Sequence, residues 1–367
     1  MSELRIIIAG GGTGGHIFPA VAIGHALIRK DATTRLLFAG AKGKMEMDKV
    51  PQEGFNIVGL DIAGFNRSQM LKNLTLPIKL LKSRIQARKL LNDFKPHAVV
   101  GVGGYASFPV LYAAQGMGIP TLIQEQNSYA GKSNTILGKK AASICVAYPG
   151  MDRFFPKDKI TFTGNPVRKN IAAMNIASVD GKIRFGLDKD KRTLFITGGS
   201  QGARSVNEAV VACLPELMQE GIQLLWQTGK PFYNEAQERA AKYGNAVRIF
   251  EFIKEMDHAY AAADIVVARA GALAIAELCI AGKPVIFVPY PHAAEDHQTA
   301  NAVSLEKAGA AWVVKDTDAK EGLGEKIVEL LHNAAVQQQM SEQLKQMAIS
   351  DADDRIADKI IAIAANR

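Results

Sequence analysis

The sequence predicts an α/β protein of two parallel-sheet domains, and three observations carry that expectation. The apolar run Ile6-Ile7-Ile8-Ala9 empties into Gly10-Gly11-Gly12-Thr13-Gly14-Gly15-His16, after which Phe18-Pro19-Ala20-Val21-Ala22 opens a helix with proline in its first turn. The same succession returns at Thr193-Leu194-Phe195-Ile196-Thr197-Gly198-Gly199-Ser200-Gln201-Gly202-Ala203-Arg204. Between and after these stretches, strand-like runs alternate with helical patterns, and each crossover-length gap makes parallel pairing economical.

The first loop is built for an anion. Glycines accept positive φ and close backbone approach, so several N–H groups and the positive end of a helix face one guest, for which a diphosphate is the natural size. Gly10, Gly12 and Gly15 also satisfy G-x-G-x-x-G, but the next strand ends in Ala41-Lys42-Gly43-Lys44 without an acid for a ribose 2′-hydroxyl. That weakens an NADP-dependent oxidoreductase and leaves Lys42 and Lys44 as its only support.

Further strands are expected at residues 56–62, 98–102, 121–124, 143–147 and 160–163. Residues 66–95 stand apart: Arg67, Lys72, Lys79, Lys82, Arg84, Arg88, Lys89 and Lys95 are opposed within the segment only by Asp93, among leucines and isoleucines such as Leu71, Leu74, Ile78 and Ile85. Such a segment suits an anionic lipid surface, and equally a surface helix whose leucines enter the core. The pattern pauses near Thr163-Gly164-Asn165-Pro166-Val167-Arg168, and the small, polar residues 171–182 read as an interdomain linker. Strands resume at 193–197, 223–227, 247–250, 264–268, 284–288 and 311–314, and the tail from Asp354 to Ala365 is amphipathic.

Composition bounds the function. The 367 residues suffice for two cores, and 48% apolar residues with 33 glycines exclude a disordered chain. The net charge of +8 favours a nucleotide, a nucleic acid or an acidic membrane face. Nucleic acid is disfavoured because the basic segment holds a single aromatic, Phe94. Cys145, Cys213 and Cys279 lie far apart in apolar surroundings and read as reduced core residues of a cytoplasmic protein without a signal peptide. No run approaches the ~18 uncharged apolar residues of a bilayer span, so a membrane would be met from its surface.

Three glycine loops follow strands: the opening one, Gly101-Val102-Gly103-Gly104-Tyr105, and residues 198–202. None is a P-loop. After the strand ending at Ala268, a helix starting near Gly271 carries Glu277 nearly two turns along, where a carboxylate can accept both ribose hydroxyls. His292, Asp296 and His297 match no metal-site spacing. Asp188-Lys189-Asp190 and Asp316-Thr317-Asp318 resemble the D-x-D of metal-dependent sugar transferases, but the first sits in a charged turn and Asp318 reads as a helix start. No metal and no cofactor are expected.

Taken together, Gly11 to His16, Gly103-Gly104-Tyr105, Gln124-Glu125-Gln126-Asn127, Thr163 to Arg168, Gly198 to Arg204, Ala270 to Glu277 and Asp296-His297-Gln298 closely resemble the MurG family. These bacterial transferases add N-acetylglucosamine from UDP-N-acetylglucosamine to lipid I, making lipid II for peptidoglycan. The resemblance spans nearly the whole chain in family order. It implies a GT-B glycosyltransferase fold, two Rossmann-like domains separated by a deep cleft. An acceptor- and membrane-facing domain would cover residues 1–165, with a C-terminal helix near 350–367 packing back on it, and a UDP-sugar domain would cover 166–349.

By motif, Thr13, Gly14 and Gly15 would border the donor phosphate and sugar, Asn127 and Gln298 would contact the sugar, and Arg168 and Ser200 would lie by the diphosphate. Ile253 would bind uracil and Glu277 the ribose, within a donor-binding run of Ala272, Leu273, Ala274, Ile275, Ala276 and Glu277. Ala274 departs from the threonine that family members often carry. The resemblance also implies an inverting displacement without a metal, and it turns the basic segment toward the cytoplasmic face of the bacterial cell membrane, where contacts with other cell-wall synthesis proteins would follow. His16 is the leading candidate for the base, with Glu125 and Tyr105 in reserve. A UDP-sugar epimerase of the same fold is the principal alternative; it would need catalytic carboxylates and no membrane patch.

Overall fold

The computed structural model of the chain describes residues 3–62, 76–293 and 296–365, with side chains described throughout these ranges except at 76–81. It forms two compact units, one of residues 1–168 and 351–367, the other of residues 169–350.

In the first unit seven strands, β1 (Arg5–Ala9), β2 (Arg35–Ala41), β3 (Ile57–Leu60), β4 (Ala98–Gly101), β5 (Thr121–Glu125), β6 (Ser143–Val146) and β7 (Ile160–Phe162), make a parallel sheet in the order β3-β2-β1-β4-β5-β6-β7. The apolar runs are continuous because both faces are covered. Ile7 and Ala9 enter one core and Ile6 and Ile8 the other, as the two-residue period of a strand requires. The helix Ala352–Ala365 closes the second of these cores with Ile356, Ala357 and Ile360, all fully buried, and Arg29 anchors it through Asp353 at 2.6 Å.

The second unit repeats the plan with β8 (Thr193–Thr197), β9 (Gln223–Gln227), β10 (Val247–Phe250), β11 (Ile265–Ala268), β12 (Val285–Phe287) and β13 (Trp312–Val313), in the parallel order β10-β9-β8-β11-β12-β13. Leu194 and Ile196 face one core, and Phe195 faces the other. In each sheet the order reverses beside the first strand of the unit. The loops leaving β1 and β4, and those leaving β8 and β11, therefore flank a crevice at the carboxyl ends, the usual ligand position in such sheets.

Two sequence expectations need correction. The first helix runs from Gly14 to Lys30, not from Phe18, so Pro19 lies inside it and His16 lies on its first turn. Extended Thr13 caps it by offering its carbonyl to the His16 and Ile17 N–H groups at 3.0 and 3.1 Å, which lets the glycines become helical. Residues 171–182 are not linker: Lys169–Ala172 and Ser178–Arg184 are helices, Ile171 is in the core, and Gly181 packs closely on the His258 carbonyl. Residues 66–75, with Arg67 and Lys72, lie outside the described residues, as does the Lys79 side chain.

The rest of the basic segment forms the helix Leu76–Phe94, with Ala87, Leu90 and Leu91 in the core and Lys82, Arg84, Ile85, Arg88 and Lys89 exposed. Asp61, beyond β3, holds both Lys82 and Lys42 at 3.0 Å, an opposing acid that the local sequence did not reveal. Among the described residues no helix is long and apolar enough to cross a membrane. Cys145, Cys213 and Cys279 are free and buried, and burial pushes each thiol up to about 12.

Candidate functional site

In the first unit, Ala9 pairs with Gly101 and Gly101 with Ile123, so the loops after β1, β4 and β5 leave the sheet side by side. Gly104 lies at φ +86°, where a Cβ would strike the Gly11 carbonyl, so this loop contact requires glycine. The opening loop has an internal partner. The Gly12 N–H donates to Glu46 Oε2 at 2.8 Å, the Ala41 N–H donates to Oε1 at 2.9 Å, and the Glu46 side chain is buried. An internal carboxylate therefore already engages one of the loop's N–H groups, that of Gly12. Glu46 lies 34 positions beyond Gly12, so loop inspection could not have found it.

His16 stands beside that loop. Its ring lies over Gly103, where a Cβ would come within 2.7 Å of Cε1, and its Nδ1 is 3.1 Å from Gln126 Oε1. Tyr105, two residues beyond Gly103, is 48% exposed. Thr13 and Gly15 are exposed and Gly14 is half-buried.

Glu125 fits a base role poorly. It is buried, which raises its carboxyl above the ordinary value, and hydrogen bonds from Asn134, Asn127 and Gly131 pull the other way. One oxygen accepts the Asn127 N–H at 3.1 Å, and the other accepts Asn134 Nδ2 at 2.8 Å and the Gly131 N–H at 3.3 Å. This carboxylate organises its own loop, including Asn127. Arg168 belongs to the first unit, where its guanidinium lies 5.2 Å from the Phe18 ring centre.

In the second unit Thr197 pairs with Gln227 on one side and Ala268 on the other, gathering the loops after β8, β9 and β11. Gly202, at φ +76°, would carry a Cβ into the Thr228 carbonyl, and Ser200 sits exposed at the turn. Gln227 ties the group together. Its Nε2 donates to the Thr197 hydroxyl and the Gly199 carbonyl, each at 3.0 Å, while its Oε1 accepts the Ile253 N–H at 2.7 Å. One buried amide thus fixes both the glycine loop and Ile253. The sequence reading gave Gln227 no role, although a glutamine ending the apolar run Leu224-Leu225-Trp226 is the kind of signal that could have found it.

Gly271 caps the helix Ala272–Ala281, on which Ala272, Leu273, Ala274 and Ala276 are partly exposed and Ile275 is buried. Glu277 is buried, and its Oε2 accepts the Tyr260 hydroxyl at 3.0 Å, which orients the carboxylate. Gln298, near the start of the helix His297–Lys307, accepts the Tyr290 N–H at 3.0 Å through Oε1.

One acid of each D-x-D has an internal partner. Asp188 accepts the Asp190 N–H at 3.0 Å, and Asp316 is bound by Arg269 and by the Ser205 hydroxyl at 2.6 Å. Among the described residues no three His, Cys, Asp or Glu side chains gather in a metal-sized group.

Residues 6–146 match the Glycosyltransferase family 28 N-terminal domain, and residues 193–356 the Glycosyltransferase family 28 C-terminal domain. The chain is 50% identical over 364 residues, 99% of its length and 97% of the relative's, to the UDP-N-acetylglucosamine--N-acetylmuramyl-(pentapeptide) pyrophosphoryl-undecaprenol N-acetylglucosamine transferase of Phocaeicola vulgatus. It is also 50% identical over 359 residues to the protein of the same name from Cytophaga hutchinsonii, covering 98% and 96% of the two chains. The crystal structure of Acinetobacter baumannii MurG superposes with a TM-score of 0.77 at 29% identity, covering 98% of this chain and 99% of that one.

Proposed function

The chain belongs to the MurG family of N-acetylglucosaminyltransferases, and from that membership we propose how its residues perform the reaction. The protein moves N-acetylglucosamine from UDP-N-acetylglucosamine to lipid I, forming lipid II in peptidoglycan synthesis. Neither an epimerase nor an NADP-dependent oxidoreductase has comparable support.

The lipid I 4-hydroxyl oxygen attacks the anomeric carbon of the donor sugar. Its bond to that carbon forms as the bond from the carbon to the diphosphate oxygen breaks, and UDP departs with the electron pair. The configuration inverts. The hydroxyl proton passes to His16, since imidazole as a side-chain type is suited to general-base work.

The second unit holds the nucleotide. Ile253 meets uracil, Glu277 accepts the ribose hydroxyls, and the loop at Ser200, which runs into the N-terminus of the helix Arg204–Gln219, receives the diphosphate. The observation that carries this assignment is Gln227, which links Ile253 to the glycine loop through bonds of 2.7 and 3.0 Å. Gln298 and Asn127 contact the sugar, Thr13, Gly14 and Gly15 border it, and Arg168 adds positive charge. No divalent metal is needed, because the glycine loop with its helix end supplies the positive field.

The exposed Arg84, Ile85, Arg88 and Lys89 support docking on the anionic cytoplasmic face of the bacterial membrane, where the acceptor's lipid tail resides. The test measures transfer of labelled sugar to long-chain and short-chain lipid I, with and without EDTA. Transfer should survive EDTA. Arg84→Glu with Arg88→Glu and Lys89→Glu should slow turnover on the long-chain acceptor alone. Loss of activity restored by magnesium would overturn the metal-free mechanism, and equal losses on both acceptors would overturn the docking role.

A further inference from the structure

We propose that Gln126 is a positioning residue that fixes His16 in its Nδ1-protonated tautomer, and that Gln124 and Asn165 lock Gln126 in the orientation this requires. The catalytic meaning of this relay rests on His16 being the base. The tautomer itself does not.

Donors and acceptors fix the orientation of each amide. The side chains of Gln124, Gln126 and Asn165 are 0%, 3% and 5% exposed, so each amide must satisfy its polar atoms inside the protein. The chain of bonds is anchored at two backbone carbonyls, which only accept. Asn165 Nδ2 lies 2.9 Å from the Gln126 carbonyl and therefore donates, which turns Asn165 Oδ1 toward Gln124. Gln124 Nε2 donates to that oxygen at 3.0 Å, which leaves Gln124 Oε1 facing Gln126 as an acceptor.

Gln126 Nε2 donates to Gln124 Oε1 and also to the Val102 carbonyl at 2.7 Å. Reversing Gln126 would set its oxygen against both, so Gln126 Oε1 is the atom presented to His16. Because that oxygen can only accept, the Nδ1 at 3.1 Å from it must carry a proton. In a neutral ring with Nδ1–H the lone pair is on Nε2, the nitrogen that then takes up a proton.

The residues come from separate places in the sequence. His16 follows β1, Gln124 ends β5 with Glu125, and Asn165 follows β7, so the fold assembles the relay across several loops of one sheet edge. The arrangement parallels the way a partner on one imidazole nitrogen fixes the reactivity of the other, with a neutral amide in place of a carboxylate.

The test uses full-length protein labelled with 15N in its histidine rings, with His16→Gln identifying the His16 signals among those of the seven histidines. At a pH where the ring is neutral, wild type should show a protonated Nδ1 and an unprotonated Nε2. Gln126→Met removes the acceptor and should shift the ring toward the Nε2–H form. It should lower kcat at least about tenfold while KM for UDP-N-acetylglucosamine stays within about twofold, a loss inside the ~10²–10⁴ that a positioned base contributes. Gln126→Glu, which still accepts from Nδ1–H, should keep the tautomer, while its second oxygen loses the two bonds that Gln126 Nε2 gives to Gln124 and Val102.

A wild-type ring protonated at Nε2 overturns the relay without reference to any variant. A tautomer that does not change in Gln126→Met overturns the role of Gln126. A ring that changes tautomer while kcat stays at the wild-type value overturns His16 as base, and leaves the relay as the cause of the tautomer.

Discussion

The loop after β1 and the loop after β8 leave equivalent strands of two similar sheets, hold glycines at positive φ and run into long helices. Their partners differ. Residues 10–13 are braced by a carboxylate, Glu46, which accepts the Gly12 N–H. Residues 198–202 are braced by neutral groups, the Thr197 hydroxyl, which accepts the Gly199 N–H at 3.2 Å, and the Gln227 amide. A carboxylate disfavours a second anion close to it, and neutral groups do not, so the two loops offer an anion different surroundings. On the proposed function, the first loop frames His16 and the second receives the diphosphate.

The largest expected effect that would break this contrast is on rate. His16→Ala should lower kcat by about 10² to 10⁴ and leave UDP affinity nearly unchanged. Steady-state kinetics beside calorimetry reads both quantities, and a variant that loses affinity more than rate would turn His16 into a phosphate ligand.

Next comes Glu277→Ala, expected to weaken UDP binding by about 1.5–3 kcal/mol, the range for hydrogen bonds to a charged group. Deoxyribose analogues of UDP should bind wild type less well than UDP does, and the variant equally well. Equal UDP affinity in variant and wild type would remove the ribose assignment.

Glu46→Gln should cost about 1–3 kcal/mol of folding stability, because an amide cannot accept from both the Gly12 and Ala41 N–H groups with its two terminal atoms. A denaturant melt that matches wild type would mean the first loop does not depend on the carboxylate.

The smallest effect compares how the units open. Each thiol is raised from 9.0 to about 12 by burial, so at pH 8 only about one native thiol in ten thousand is ionised. The thiol contribution to stability is fully present below 9.0 and is lost as pH rises through about 12, because the unfolded thiols ionise first. Alkylation at pH 8 should therefore follow opening of the fold, with Cys145 reporting the first unit and Cys213 and Cys279 the second. Rapid labelling of all three without denaturant would contradict their burial.

What the sequence made legible was local. The β1 and β8 strands announce themselves as apolar runs entering glycine loops, and Gly271 with its apolar helix places Glu277, because each signal is contained in a dozen residues. The start of the first helix was misplaced because Pro19 usually marks a first turn, and here the Thr13 carbonyl captured the helix earlier. Residues 171–182 were read as linker because short helices with small residues carry little periodicity.

Long-range partners were hidden altogether. Glu46 under Gly12, Asp61 beneath Lys82, Gln227 between Ile253 and the glycine loop, and Asn165 behind Gln124 are contacts between residues 21 to 41 positions apart. Gln126 and Asn165 stand in the sequence as letters of two motifs. Only their hydrogen bonds give them work to do.

Hydrogen exchange of the full-length protein with and without saturating UDP tests the contrast between the two loops most directly. Strong new protection is expected in peptides covering residues 197–204, 251–254 and 271–278, with little change at 9–16. Protection concentrated at 9–16, with residues 197–204 unchanged, would contradict it.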